Sequence, residues 1–137
     1  MILLDTHVWI WLVHDDSLLP ATLRASIELD PTRNLAVSAI SCWEVAKLAE
    51  RGRLELPMES DAWMDLALEA SGIHLLPLTP QICVASTTLP GTFHRDPADQ
   101  LIVATSRVLG VPLATCDSKI RSYPHVSLLE DSQIHDR

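Results

Sequence analysis

Five carboxylates sit in apolar surroundings at four separate places in the chain: Asp5, Glu44, Asp96, Asp99 and Asp117. Asp5 follows Met1-Ile2-Leu3-Leu4, and Asp117 follows Leu113-Ala114-Thr115-Cys116. Glu44 closes Ser38-Ala39-Ile40-Ser41-Cys42-Trp43-Glu44, while Asp96 and Asp99 are one helical turn apart and share a face. Carboxylates brought close together repel, and a proton or a divalent cation must relieve them. An all-oxygen donor set without Cys or paired His suits Mg²⁺ or Mn²⁺ better than zinc. Such ions can activate a water and stabilise the leaving oxygen of a phosphodiester. Hydrolysis of a nucleic-acid backbone is therefore the chemistry that this set fits best.

Each acid also has a purely structural use. Asp5 could close a strand. Glu44 could form a capping box with Ser41 or an ion pair with Lys47. Asp96 is a good N-cap, Asp99 suits the positive first turn of a helix, and Asp117 could cap a helix over 118–123. The functional reading rests on the five taken together in one topology.

That topology follows from the hydrophobic pattern. Short apolar runs at 2–4, 35–37, 73–76, 111–114 and 126–129 have the character of strands buried on both faces of a parallel sheet. Helical segments separate them. Ser60 can N-cap a helix to Ser71 with Gly72 as its stop, and Thr79-Pro80 opens another over 81–88. Asp96-Pro97 opens a helix that Gly110 ends, and 20–29 and 38–51 are helical in period. Alternation of strand and helix predicts a doubly wound α/β domain occupying 1–137. Ligands of such sheets bind beyond the carboxyl ends of the strands, where Asp5 and Asp117 fall.

Composition narrows the function class. The chain has 137 residues, 47 % of them hydrophobic, which suffices for one core. The formal charge of −8 argues against a protein that coats nucleic acid by surface charge, but not against an enzyme whose acids hold metal. Cys42, Cys83 and Cys116 show neither zinc spacing nor a disulfide framework. The apolar N-terminus is interrupted by Asp5 and His7 and lacks the basic head of a signal peptide, and no run reaches a membrane span. A cytoplasmic protein without a membrane segment is expected.

Four motifs in order resemble the PIN-domain nucleases, and among them the VapC-like toxins of type II toxin–antitoxin pairs. They are Leu3-Leu4-Asp5-Thr6-His7-Val8-Trp9, Ser38 to Lys47, His94 to Thr105, and Leu113 to Asp117. The resemblance covers nearly the whole chain. It implies a three-layer α/β/α fold with a five-stranded parallel sheet in the order 3-2-1-4-5. It further implies a Mg²⁺- or Mn²⁺-dependent endoribonuclease acting on RNA, inhibited by a cognate antitoxin and commonly a homodimer. Asp5, Glu44, Asp99 and Asp117 match the four family acids. Asp5 and Asp99 would be ligands of the principal metal, and Asp117 and Glu44 would hold its waters or a second ion. Asp96 matches an additional acid of such toxins. Thr6 and Thr115 would hydrogen-bond the acids and fix their rotamers. Gln100 departs from the pattern, since related toxins often carry Arg there.

Other residues are less decisive. Lys47, Arg51 and Arg53 could contact RNA phosphates or form a solvated helix face. Trp9 and Trp11, two apart in a helix, cannot share a face, so one is expected to leave the core and meet a partner such as the antitoxin. His7 could reach the rim of the site as a general base. The alternative reading is a non-catalytic interaction domain of the same fold, which retention of all four acids disfavours. A phosphoacceptor domain would need an acid ending the third strand, where Ile73-His74-Leu75-Leu76 has none. An Asp-nucleophile phosphatase would need an Asp at the position of His7.

Overall fold

The computed structural model describes residues 1–31, 34–69 and 72–129. At its centre lies β1 (Ile2–Leu4), buried along its whole length. Successive side chains of a strand point to opposite faces. Ile2 and Leu4 accordingly join one apolar cluster, with Val8, Trp9, Leu23, Val45 and Trp63. Leu3 joins another, with Ile102, Val103, Leu113 and Ile120. Two cores on the two faces of one sheet make a three-layer α/β/α arrangement.

The sheet is parallel and runs β3-β2-β1-β4, with β2 at Leu35–Ser38, β3 at His74–Leu76 and β4 at Leu113–Ala114. Helices connect the strands: α1 (Thr6–Val13) and α2 (Ala21–Glu28) after β1, and α3 (Ala39–Glu50) and α4 (Ser60–Glu69) after β2. After β3 come α5 (Pro80–Ser86) and α6 (Pro97–Leu109), and α7 (Ser118–Arg121) follows β4. None of the described helices is long and apolar enough to cross a membrane.

Three expectations are revised. The fifth strand is reduced to an isolated parallel bridge between Leu113 and Leu128, with Leu113 N donating to Ser127 O at 2.8 Å. It lies beyond β4, where order 3-2-1-4-5 puts it. Because β4 itself has only two residues, a neighbour finds too little backbone for a continuous ladder. The third strand is not buried on both faces: β3 is the sheet edge, and His74 and Leu75 are exposed. Ser60 is the first residue of α4 rather than its cap, since Trp63 N donates to Glu59 O. Ser71, the expected end of that helix, and 130–137, the expected end of the domain, lie outside the described residues.

Candidate active site

Asp5 ends β1 and caps α1, so one residue serves both the strand and the helix. Its Oδ1 accepts from the Thr6 backbone N–H at 2.8 Å, and its Oδ2 accepts from Thr115 Oγ1 at 2.6 Å. Its side chain is buried beside the end of β4, with Asp5 N donating to Ala114 O. Thr115 Oγ1 in turn accepts from Asp117 N at 3.0 Å. Asp117 caps α7, its Oδ1 accepting from Lys119 N and Ile120 N. The chain-end acid and the chain-start acid are thus tied through one threonine hydroxyl.

Glu44 approaches from α3. Ser38 caps that helix, its Oγ accepting from Ile40 N. Glu44 therefore has no capping role with Ser41; instead it accepts from Thr6 Oγ1. The hydroxyls of Thr6 and Ser41 are 2.8 Å apart. A hydroxyl has one proton, and when Thr6 gives its own to the carboxylate, Ser41 is the donor between the two hydroxyls. Lys47 pairs with Glu50 at 3.2 Å rather than with Glu44.

Asp96 and Asp99 open α6. Asp96 Oδ1 accepts from Asp99 N at 3.1 Å and Pro97 follows the cap, which suits its missing N–H. Asp99 Oδ2 lies 3.1 Å from His94 Nε2, near enough for an ion pair but without the alignment of a hydrogen bond. His94 is held in turn by Gln100, whose Nε2 donates to the His94 carbonyl at 3.0 Å.

Three of the acids, Asp5, Glu44 and Asp99, are raised above the ordinary carboxylate range. Burial pushes Asp99 up to about 7, and the charges of Asp5, Asp96, Asp117 and Glu44 add to the rise. Burial also raises Glu44, helped by Asp5, Asp96 and Asp117 and opposed by the hydrogen bond from Thr6. Burial raises Asp5; the bonds from Thr115 and Thr6 and the charge of His7 oppose this, and Asp117 adds to it. Surface acids that only cap helices would not share such a field. Structural use and electrostatic convergence coexist here: Asp5, Asp96 and Asp117 each cap a helix and each also burdens its neighbours.

Residues 2–126 match the PIN domain family. The chain belongs to that family. Ribonuclease VapC22 of Mycobacterium tuberculosis is 36 % identical to it over 124 residues, 90 % of this chain and 92 % of that protein. The same fold occurs in VapBC2 of Rickettsia felis bound to a promoter DNA fragment. That likeness has a TM-score of 0.67 at 18 % identity, covering 93 % of this chain and 97 % of that one. DNA-bound VapBC of Salmonella typhimurium gives 0.67 at 19 % identity, covering 93 % and 95 %.

The donor chemistry of this PIN domain fits a hard divalent cation: oxygen atoms only, carried by carboxylates that burden one another. Among the described residues, no three His, Cys, Asp or Glu side chains are drawn together into a ready-made cluster. Mg²⁺ does not require such a cluster, since it keeps several of its waters and takes one or two carboxylates. The electrostatic neighbourhood expected from sequence is present; the closed ligand set is not.

The remaining candidates of the PIN domain fall elsewhere. His7 is exposed, packs its ring against Trp11 at 5.7 Å, and reaches the acids only through its charge on Asp5. Trp9 is fully buried, and Trp11 is half-buried against the same core. Trp63 is buried too, donating Nε1 to His14 Nε2 at 2.9 Å. The tryptophan that leaves the core is Trp43, 54 % exposed. Sequence reasoning missed His94 as a neighbour of Asp99, and it paired Ser41 with Glu44 where the structure pairs it with Thr6. Both lie inside the motifs that frame Asp99 and Glu44, and that proximity was the available signal.

Proposed function

We propose that this PIN domain is a metal-dependent endoribonuclease toxin that hydrolyses RNA phosphodiester bonds and is neutralised by a cognate antitoxin. The observation that carries this reading is that Asp5, Glu44 and Asp99 are raised by burial and, beyond it, by the charges of acids from other segments: Asp117 on all three, Asp5 and Asp96 on Glu44 and Asp99, and Glu44 on Asp99. A folded protein keeps such a repulsive set where a cation resolves it. The similarity to a VapC ribonuclease supports RNA as substrate, and the VapBC folds support an antitoxin as partner.

Asp5 and Asp99 would hold the principal Mg²⁺ or Mn²⁺, with Asp117 and Glu44 holding its waters or a second ion and Asp96 at the margin. When bound, the metal supplies positive charge and an acidified water. The chain does the rest. Thr115 and Thr6 hold the Asp5 and Glu44 carboxylates in fixed rotamers. Asp99 must shed the proton that its surroundings favour, and His94 Nε2 stands 3.1 Å from its Oδ2. A single domain over 1–137, a homodimer and a cytoplasmic location complete the proposal.

The test is cleavage of total cellular RNA by the purified chain with Mg²⁺, Mn²⁺ or EDTA, with Asp99→Asn as control. Metal-dependent cutting that disappears in the variant is expected. Cutting that survives the substitution removes Asp99 from the site. No cutting under any condition favours the interaction-only alternative.

A further inference from the structure

A groove of about 560 Å³ opens beside the acids, between α3 and the start of α6. Glu44 and Asp96 line it together with Trp43, Lys47, Arg51 and Arg53. Its apolar lining includes Ile40, Leu48, Leu78 and Ala98. Residues 43, 47 and 51 recur every fourth position, so they share one face of α3 and its end. Trp43 is 54 % exposed, although a soluble fold would ordinarily bury so large a ring. Lys47 Nζ lies 5.9 Å from the centre of that ring. Among the described residues, neither Arg51 nor Arg53 pairs with a carboxylate. On a chain of net charge −8, Lys47, which also pairs with Glu50, and Arg51 and Arg53 place three cations along a groove that Glu44 and Asp96 share.

We propose that this groove is the track of a single RNA strand, with Trp43 as a stacking platform for a base and Lys47, Arg51 and Arg53 as phosphate contacts. The inference rests on the nuclease reading above and adds the path by which the strand meets the acids. An exposed indole beside cations matches what single-stranded nucleic acid needs: a π-face for bases and charge for the backbone. The apolar lining accepts the edge of a base without demanding a particular hydrogen bond. Trp43, Glu44 and Asp96 line the same groove, so a base stacked on the indole would hold the neighbouring phosphate close to the carboxylates.

The experiment measures binding rather than cutting. A fluorescein-labelled, mixed-sequence single-stranded RNA of about 12 nucleotides, within the usual range of such sites, is titrated against Asp99→Asn protein as the common background. Adding Trp43→Ala should weaken binding roughly tenfold, and Trp43→Phe should restore most of it. Adding Arg51→Gln with Arg53→Gln should weaken binding and flatten its salt dependence, by about 0.7 in the log–log slope for each phosphate no longer neutralised. Arg24→Gln, which breaks the distant pair with Asp15, should leave binding unchanged. Unchanged binding in the Trp43→Ala and double Arg proteins overturns the track. So does equal weakening by Arg24→Gln, which would make net charge the cause. If the groove variants spare RNA but lose a purified cognate antitoxin, the groove belongs to a protein and the track is again overturned. Absence of cleavage by the unmodified chain bears on the nuclease reading alone.

Discussion

Thr115 Oγ1 donates to Asp5 Oδ2 at 2.6 Å, although the two residues stand 110 positions apart in the chain. The same oxygen accepts from Asp117 N, so one hydroxyl joins the ends of two adjacent strands and aims a buried carboxylate. Thr115→Val keeps the shape and deletes the donor. A buried carboxylate oxygen left without its partner should cost about 1–3 kcal/mol, seen as a lower urea midpoint at constant slope. Cleavage should fall about 10- to 100-fold, the usual effect of losing a residue that orients a ligand. Thr115→Ser should retain most of both. A valine variant with unaltered rate and midpoint would show that the bond does not orient Asp5.

Asp99 gives the metal-free protein a pH dependence of defined sign. Its folded value is about 7 against an ordinary 3.8, so the folded chain binds this proton more readily than the unfolded chain does. Stability from this group is therefore full below about pH 4, falls as pH rises to about 7, and stays low above. Asp99→Asn cannot titrate and escapes the loss. In EDTA the variant should melt higher than the parent by roughly 5 °C or more at pH 8, with the gap closing towards pH 4. A gap that does not change with pH would mean that Asp99 titrates normally.

Asp96 separates capping from charge. Asn and Asp are about equally good N-caps, so Asp96→Asn should keep α6 and shift stability by less than about 0.5 kcal/mol. It should still lower the Asp99 pKa, because one of the charges that raise it is gone. Asp96→Ala removes both and should cost about 1 kcal/mol. The Asp99 carboxyl can be followed by carbon-13 chemical shift against pH. An Asp99 value unmoved by Asp96→Asn would place Asp96 outside the shared field.

Much of this was legible in the residues. Asp5 and Asp117 were readable because each follows an apolar run, and the carboxyl ends of parallel strands have one common edge. Thr79-Pro80 and Asp96-Pro97 declared their helix starts, and Gly110, at φ 65°, its helix end. What could not be read was decided by tertiary contact. Glu44 had two local partners at helical spacing, yet it bonds Thr6, which lies 38 positions away. The β3 run is apolar enough for a central strand, but its edge position follows from strand order and not from composition. Trp9 is buried and Trp11 half-buried, in keeping with their opposed faces, whereas the exposure of Trp43 could not be read, because periodicity tells which residues oppose each other and not which face meets the core.

Metal binding should be readable without any RNA. A ligand held only by the folded chain raises stability by about 2.7 kcal/mol at one hundred times its Kd. Mg²⁺ and Mn²⁺ should therefore raise Tm, in buffers matched for ionic strength so that general screening of a chain of charge −8 is excluded. The metal competes with protons for the same oxygens, so the gain should be larger at pH 8 than at pH 6, on the two sides of the Asp99 value of about 7. Asp5→Asn and Asp99→Asn should each lose most of the gain. Trp43→Ala, which removes no carboxylate, should keep it. A gain that persists in Asp5→Asn and Asp99→Asn at both pH values would put the cation somewhere other than among these carboxylates.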